Sequence, residues 1–172
     1  GDQLNRKLIR DFRLYMLVGG MPQAVNEFIT TNNFKKVDDV KRDIINLYED
    51  DFRKIDSTGR LAMLFEAIPS QLNKNTKGFQ TKKVLNSYKT TDSTILSLIS
   101  ELKDSKVVSV AYHANNPDVG LSAYKDLNRF KLYMADTGLF VTLQFKDKDF
   151  TENIIYEKLL NDKLSTNLGY LY

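Results

Sequence analysis

The amino-acid sequence predicts a mainly α-helical protein of the α+β class, with one small β-hairpin. Apolar residues recur at i, i+3, i+4 and i+7 through much of the 172-residue chain, which is the spacing of amphipathic helices. Two short strand-like runs, 107–112 and 129–134, lie on either side of a polar turn at 115–118. With 42% apolar and 27% charged residues, the composition is that of a globular protein.

Helices account for the N-terminal part, residues 2–55. The first is predicted over Asp2–Val18, with Asp2 as its N-cap. One side of this helix is apolar and consists of Leu4, Leu8, Phe12 and Tyr15. Gly19-Gly20 ends the helix, because glycine takes the left-handed C-cap conformation, and Pro22 suits the first turn of the next one. A long helix is predicted at about 34–55.

The middle of the chain changes from helices to strands. A helix at about 58–68 is interrupted by Pro69, since the residue before a proline avoids the α region. A further helix, opened by Thr90, Thr91 or Asp92, precedes the two strands. Helix, strand, loop and strand is the order of a winged helix, which we therefore predict over residues 56–143. Its predicted core consists of Leu61, Leu64, Phe65, Ile95, Leu98, Ile99, Leu102, Val108, Val110, Leu132 and Met134.

Two more helices are predicted after the second strand. Asp136-Thr137-Gly138 opens a short apolar helix, and Thr151 opens another inside the segment 144–172. The chain then ends, from Leu168 to Tyr172, on residues typical of the start of a strand.

Charge is distributed unevenly along the chain, although the net charge is only +3. Residues 67–91 contain no acidic residue and carry five lysines. A local excess of that kind can meet phosphates. The predicted nucleic-acid contacts, drawn from this stretch, from the tip of the predicted wing and from the second strand, are Lys77, Lys82, Lys83, Lys89, Lys125 and Arg129. The next helix carries Asp92, Glu101 and Asp104, which repel phosphate and favour protein interaction instead.

Several kinds of chemistry are excluded or weakly indicated. The chain has no cysteine, which excludes disulfides and thiolate metal sites and fits a cytoplasmic protein. Its single histidine, His113, excludes histidine metal clusters. The acidic runs Asp38-Asp39 and Glu49–Asp51 are expected on solvated helix faces, and no apolar run is long enough to cross a membrane. We therefore predict no catalytic residue and no metal site, and no membrane partner.

Four phrases of the sequence resemble the C-terminal part of a prokaryotic AAA-type P-loop ATPase family that carries a domain of unknown function. They are LVGGMPQAV at 17–25, IPSQLNKNTKGFQTKKV at 68–84, FKLYMADTGL at 130–139 and TENIIYEKLL at 151–160. The chain itself has no G-x-x-x-x-G-K-[ST] motif. The resemblance thus implies a fragment without its ATPase core. It implies no cofactor in the fragment, ATP and Mg²⁺ in the full-length protein, and an upstream ATPase domain as partner.

The same resemblance assigns roles to particular residues. Gly19, Gly20 and Pro22 resemble the Gly-x-Pro element at the lid of related ATPases, which makes 2–55 lid-like and implies that Pro22 senses nucleotide. Segment 144–172 resembles the truncated start of a nuclease-like domain, in which Glu152 or Glu157 matches the first acidic residue.

Two functions remain open from the sequence. The first is a non-catalytic winged-helix module that binds nucleic acid, with DNA as the expected partner. The second is a protein-interaction or regulatory module that transmits the nucleotide state of the upstream ATPase. The lysine stretch favours the first, whereas the Gly-Gly-Met-Pro element and the acidic helix favour the second.

Overall fold

The structure, a computed structural model, describes residues 1–74, 77–86, 88–112, 129–147 and 152–161. These residues are mainly helical and contain a two-stranded antiparallel sheet, so the predicted fold class is confirmed. In chain order the elements are α1 Asp2–Val18, α2 Pro22–Thr31, α3 Phe34–Ile55, α4 Arg60–Glu66, α5 Ile68–Asn73, α6 Thr81–Val84, α7 Asp92–Asp104, β1 Val108–Tyr112, β2 Phe130–Met134, α8 Thr137–Gln144 and α9 Asn153–Leu160. Among them, no helix is both long and apolar enough to cross a membrane.

The chain divides into two compact units. Gly1–Leu47 and Asp136–Tyr172 form the first, here called the terminal unit, and Tyr48–Ala135 forms the second, the central unit. The boundary between them falls within α3. The domain limits predicted from the sequence, 2–55, 56–143 and 144–172, stay a prediction, since compact packing and domain boundaries are different properties.

The ends of α1 and α2 follow from local backbone chemistry. Gly19 ends α1 with a φ of 81°, a conformation that glycine adopts without a steric penalty. Pro22 opens α2, where the missing N–H of proline would have had no helical partner anyway. Both predictions are confirmed. The predicted N-cap is wrong, because Gly1 takes that position and Asp2 lies in the first helical turn.

The apolar side of α1 is exposed. Leu4, Leu8 and Tyr15 keep between 63% and 73% of their surface. Burial comes instead from the last turn of α1, where Leu17 and Val18 join the terminal-unit core beside Val141 and Tyr156. The helical period of the sequence is therefore correct, but only the C-terminal end of α1 contributes buried side chains.

In the central unit, the predicted helix at about 58–68 is interrupted, but the break lies at Ala67, and Ile68 belongs to the second of two short helices. Helix α4 ends at Glu66, and α5 begins at Ile68 with the proline in its first turn. Thr91 is the N-cap of α7, and its Oγ1 accepts the Thr94 N–H at 3.3 Å. Of the three predicted N-caps, Thr90, Thr91 and Asp92, the structure therefore shows Thr91.

The two predicted strands pair with each other. Strand β1 runs antiparallel to β2, with Val108 opposite Met134 and Tyr112 opposite Phe130. Outside the pair, the Phe79 N–H donates to the Phe130 carbonyl at 2.7 Å. The predicted turn at 115–118 lies outside the described residues. Helices followed by a paired β1 and β2 give the order that the sequence predicted for this region.

The predicted core of the central unit is buried, except that Val110 is half-buried. Additional apolar residues, which the sequence did not single out, complete it: Ile68, Leu72, Phe79, Leu85 and Phe130. The rings of Phe79 and Phe130 stack with centroids 5.9 Å apart. This stack, together with the hydrogen bond between the same residues, fixes the segment before α6 against the start of β2.

Candidate nucleic-acid interface and the buried Lys41 cluster

The lysine surface of the central unit is exposed. We use this name for the predicted contacts that the structure describes, namely Lys77, Lys82, Lys83, Lys89 and Arg129. The sixth predicted contact, Lys125, lies outside the described residues. Exposure is what binding to an extended polyanion requires, because a buried ammonium group cannot reach a phosphate.

Two members of the lysine surface lie next to one hydrogen bond. Lys77 precedes Phe79 by two residues, and Arg129 directly precedes Phe130. Because Phe79 donates to Phe130 at 2.7 Å, the two cationic residues are held on neighbouring segments. Folding thus places Lys77 and Arg129 on neighbouring segments, although they are far apart in sequence.

Of the other three lysines, two lie on α6 and one comes shortly after it. Lys82 and Lys83 lie on α6, and a turn closed by the Tyr88 N–H and the Leu85 carbonyl at 2.8 Å leads to Lys89. The start of α7 is close by, since Lys82 Nζ lies 4.0 Å from Asp92 Oδ1. Lys82, Lys83 and Lys89 are therefore placed by one short, locally closed segment.

Most of these lysines carry uncompensated charge. Within the described part of the chain, Lys77, Lys83 and Lys89 make no ion pair. The pair of Lys82 with Asp92 is long, and both side chains keep at least 70% of their surface. Exposed pairs of this kind contribute little free energy, so Lys82 is readily available to another anion.

A small cavity adjoins this surface but has no room for a substrate. Gln71, Phe79 and Lys131 are among the residues that line it, and its volume is about 10 Å³. That is space for about one water molecule. What this side of the central unit offers is therefore a charged surface.

Gly19 and Gly20, predicted to belong to a nucleotide-sensing element, lie against Asp136, with Gly19 buried and Gly20 exposed. The Gly20 N–H donates to Asp136 Oδ1 at 2.7 Å, and the other oxygen caps α8 by accepting the Leu139 N–H at 2.9 Å. A Cβ on Gly19 would lie 2.4 Å from Asp136 Oδ2, and one on Gly138 would lie 2.4 Å from the Val18 carbonyl oxygen. Glycine is required at both positions for the end of α1 to approach the start of α8.

Pro22 is exposed, as is Gly20, whereas Gly19 is buried. Its position at the start of α2 is explained by helix geometry alone. The predicted nucleotide-sensing role of Gly19, Gly20 and Pro22 stays a prediction.

Lys41 is fully buried in the terminal unit. Its Nζ donates to the Leu17 carbonyl at 2.7 Å, to the Tyr156 hydroxyl at 2.8 Å and to the Gly138 carbonyl at 3.1 Å. An ammonium group has three donors and no acceptor, so these three partners satisfy it. Each acceptor belongs to a different phrase of the family resemblance: the first, the third and the fourth.

Asp38 lies one helical turn before Lys41 and is equally buried. Its carboxylate accepts from Arg42 Nε at 2.7 Å and from Thr142 Oγ1 at 2.8 Å, and the Tyr156 hydroxyl also donates to it. Lys41, Asp38, Arg42, Thr142 and Tyr156 together form what we call the Lys41 cluster. The expectation that Asp38 is solvated is wrong, and Glu49, which is 2% exposed, is likewise not on a solvated face.

The Lys41 cluster perturbs the titration of its members. Burial lowers the pKa of Lys41 to about 7, although the charges of Asp38 and Asp136 oppose this shift. Burial and the adjacent Asp38 carboxylate raise the pKa of Tyr156 well above its ordinary value. A lysine with such a pKa can act in catalysis when it faces a cavity. Here all three donors are bound to the protein itself, which indicates a structural role.

Sequence reasoning missed the Lys41 cluster, although one signal was present. Lys41 lies four residues after Val37 and three before Ile44, both of which are buried, so it falls on the apolar side of α3. A charged residue on the apolar side of a helix is either buried and hydrogen-bonded to other residues, or a sign that the apolar side was assigned wrongly. The sequence alone offers no way to find its partners, which come from three other elements.

The acidic residues matched to a nuclease are separate and exposed. Glu152 is the N-cap of α9, and Glu157 lies on its outer face. Among the described residues, no group of three or more histidines, aspartates or glutamates is arranged to hold a metal ion.

A family described as a domain of unknown function (DUF8612) matches residues 9–149. No curated protein and no solved structure matches the chain. The family match supports neither an ATPase nor a nuclease relationship.

Proposed function

The chain belongs to the DUF8612 family, and we propose that its central unit is a non-catalytic winged-helix module that binds nucleic acid through the lysine surface. In this proposal the phosphate backbone is the main ligand, and the module acts within a larger AAA-type ATPase, as the four sequence phrases suggest. DNA is the expected nucleic acid.

One observation carries the proposal. A stretch of 25 residues, 67–91, contains lysines but no acidic residue, and its lysines at 77, 83 and 89 are exposed without an ion pair among the described residues. A globular surface usually mixes both signs of charge. A surface of one sign concentrates anions near it, and a polyanion gains further from the release of its condensed counterions.

The test is a binding titration at several salt concentrations. Fluorescence anisotropy with labelled oligonucleotides compares the unchanged protein with the triple variant Lys77→Glu, Lys83→Glu, Lys89→Glu. The matched control is Lys7→Glu, Lys36→Glu, Lys103→Glu, which changes the net charge equally at exposed lysines outside the proposed surface. Helix content from circular dichroism verifies that each variant is folded.

We expect the first variant to lose most binding and the control to keep most of it. The slope of log Kobs against log salt should flatten by roughly 2 to 3 units in the first variant, because each phosphate contact contributes about 0.9. Absence of binding by the unchanged protein at low salt would refute the proposal. Equal losses in the two variants would refute the location, since net charge alone would then explain the effect.

A second candidate function is favoured by the surroundings of Pro22. In this alternative the terminal unit transmits the nucleotide state of an upstream ATPase domain. The Gly19-Gly20 segment is fixed by Asp136 while Pro22, two residues further, is exposed to a partner. A rigidly held exposed proline next to a defined helix start is suited to contact another domain with little loss of conformational entropy.

The second candidate is tested in the full-length protein. Pro22→Ala should change nucleotide affinity or turnover there, whereas Gln23→Ala, at the neighbouring exposed position, should not. Identical nucleotide affinity and turnover for Pro22→Ala and the unchanged protein would end this alternative without affecting the first.

A further inference from the structure

Resting on the proposed function, we propose that the lysine surface binds a single strand of nucleic acid, and that the ring of Tyr88 is the platform on which one base stacks. Tyr88 directly precedes Lys89 and follows α6, which carries Lys82 and Lys83. The ligand class is therefore single-stranded DNA or RNA, held by phosphate contacts on both sides of a stacked base.

Tyr88 is exposed but anchored. It keeps 39% of its surface, and its hydroxyl donates to the Thr58 carbonyl at 3.0 Å. Its N–H is bound to the Leu85 carbonyl at 2.8 Å, and its own carbonyl accepts from Thr90 Oγ1 at 3.4 Å. A ring fixed at its far end and at its backbone loses little further freedom when a base stacks on it.

Lysines lie before and after Tyr88 in the chain. Lys89 is the next residue, and the turn closed by Leu85 connects Tyr88 to Lys83 within five residues. Aromatic rings flanked by lysines are the common solution for single strands, because every base has a stackable face while the phosphates continue past it.

Helix α7 argues against insertion into a duplex. In a winged helix this is the element that usually enters the major groove. Three carboxylates, on Asp92, Glu101 and Asp104, outnumber its single lysine, and Asp92 and Asp104 are exposed. The resulting negative potential repels the phosphates that line a groove on both sides. A single strand that follows α6 and Tyr88 requires no entry of α7.

The experiment measures binding of a 20-nucleotide single strand and of a 20-base-pair duplex to the same protein. Variants Tyr88→Ala and Tyr88→Phe are compared with Tyr15→Ala, a control at an exposed tyrosine of the terminal unit. We expect the single strand to bind at least tenfold more tightly than the duplex. Tyr88→Ala should weaken single-strand binding by at least about fivefold, since stacking of one base is typically worth that much or more.

Tyr88→Phe separates stacking from a structural role of the hydroxyl. It removes the hydrogen bond to Thr58 but keeps the ring, so single-strand binding should stay within about twofold of the unchanged protein. Tyr88→Trp adds a direct readout, because the sequence contains no tryptophan and the introduced indole would report alone. Its fluorescence should be quenched by the single strand, whereas Tyr15→Trp should give no quenching.

The outcomes distinguish this inference from the proposed function. Equal binding of duplex and single strand, with Tyr88→Ala neutral, overturns the inference and leaves the lysine surface as a general phosphate site. A loss in Tyr88→Phe as large as in Tyr88→Ala overturns the stacking role, because the ring is then not what matters. Absence of binding to either nucleic acid overturns both.

Discussion

The Lys41 cluster and the lysine surface use the same side chain in opposite ways. In the terminal unit, Lys41 has no exposed surface, and its Nζ donates three hydrogen bonds to other groups of the protein. In the central unit, Lys77, Lys83 and Lys89 are exposed and have no ionic partner among the described residues. A buried lysine whose donors are all bound within the protein is not available to a ligand, whereas an exposed lysine without an ionic partner is. The predictions below test this contrast.

The largest expected effect is the loss of a buried partner. Asp38→Ala should lower the free energy of unfolding by about 4 kcal/mol, because it leaves the buried Lys41 and the partly buried Arg42 without their carboxylate. Asp39→Ala is the matched control, since Asp39 is half-exposed and its ion pair among the described residues is with the partly exposed Lys35, at 3.3 Å. It should cost below about 1 kcal/mol. Urea denaturation monitored by circular dichroism measures both, and equal costs would contradict a structural role for Asp38.

A second loss of stability is expected where the end of α1 closely approaches the start of α8. Gly138→Ala should cost about 3 kcal/mol, because the added methyl group would meet the Val18 carbonyl and force the two helix ends apart. Gly59→Ala in the central unit is the comparison. It has a φ of 81° but nothing within 4 Å of an added Cβ, so strain alone should cost about 1 kcal/mol. Thermal unfolding of both variants compares their losses of stability. A Gly138→Ala protein as stable as Gly59→Ala would refute the steric explanation.

The Lys41 cluster should also make stability depend on pH. With a pKa of about 7 in the folded state and 10.5 as the ordinary value, Lys41 binds more protons in the unfolded state between these two limits. Stability should therefore rise with pH, by about 2 kcal/mol between pH 7 and pH 9. The raised pKa of Tyr156 opposes this only above its ordinary value of 10.

Lys41→Met is the control for that pH dependence. The variant should be less stable at every pH, because the Leu17 and Gly138 carbonyls lose their buried donor. It should also lose the rise in stability between pH 7 and pH 9. A rise of equal size in Lys41→Met would assign the pH dependence to another group.

The smallest stability effect is expected at the lysine surface. The triple variant Lys77→Glu, Lys83→Glu, Lys89→Glu should change the free energy of unfolding by less than about 1 kcal/mol, because exposed substitutions away from special features have small effects. Binding should be lost while the fold is kept. Urea denaturation of this variant, beside Asp38→Ala, is the sharpest form of the comparison, and a loss of several kcal/mol would mean that these lysines support the fold.

Local chemistry made much of the fold predictable. The bounds of α1 and of α3 follow from Gly19 and from a continuous apolar period, and the pairing of β1 with β2 was expected from two short strand-like runs that are close in sequence. The exposure of the lysine surface was predictable as well, because lysine is almost never fully buried unless its charge is paired.

The exposure of the apolar side of α1 and the burial of Asp38 were not predictable in this way. Leu4 and Leu8 have the right period for a core-facing side, and Asp38-Asp39 has the composition of a solvated one. A period shows only which residues share a side of a helix. Which side meets the core depends on the elements that pack against it.

The sequence by itself thus determined the order of elements, most of their limits, the strand pair and the cationic stretch at 67–91. Only the tertiary structure decided which lysine is structural. Lys41 finds its acceptors 24, 97 and 115 residues away, in Leu17, Gly138 and Tyr156. The physical reason is that helix caps and periods arise between neighbours in sequence, whereas the satisfaction of a buried charge requires groups that only folding brings together.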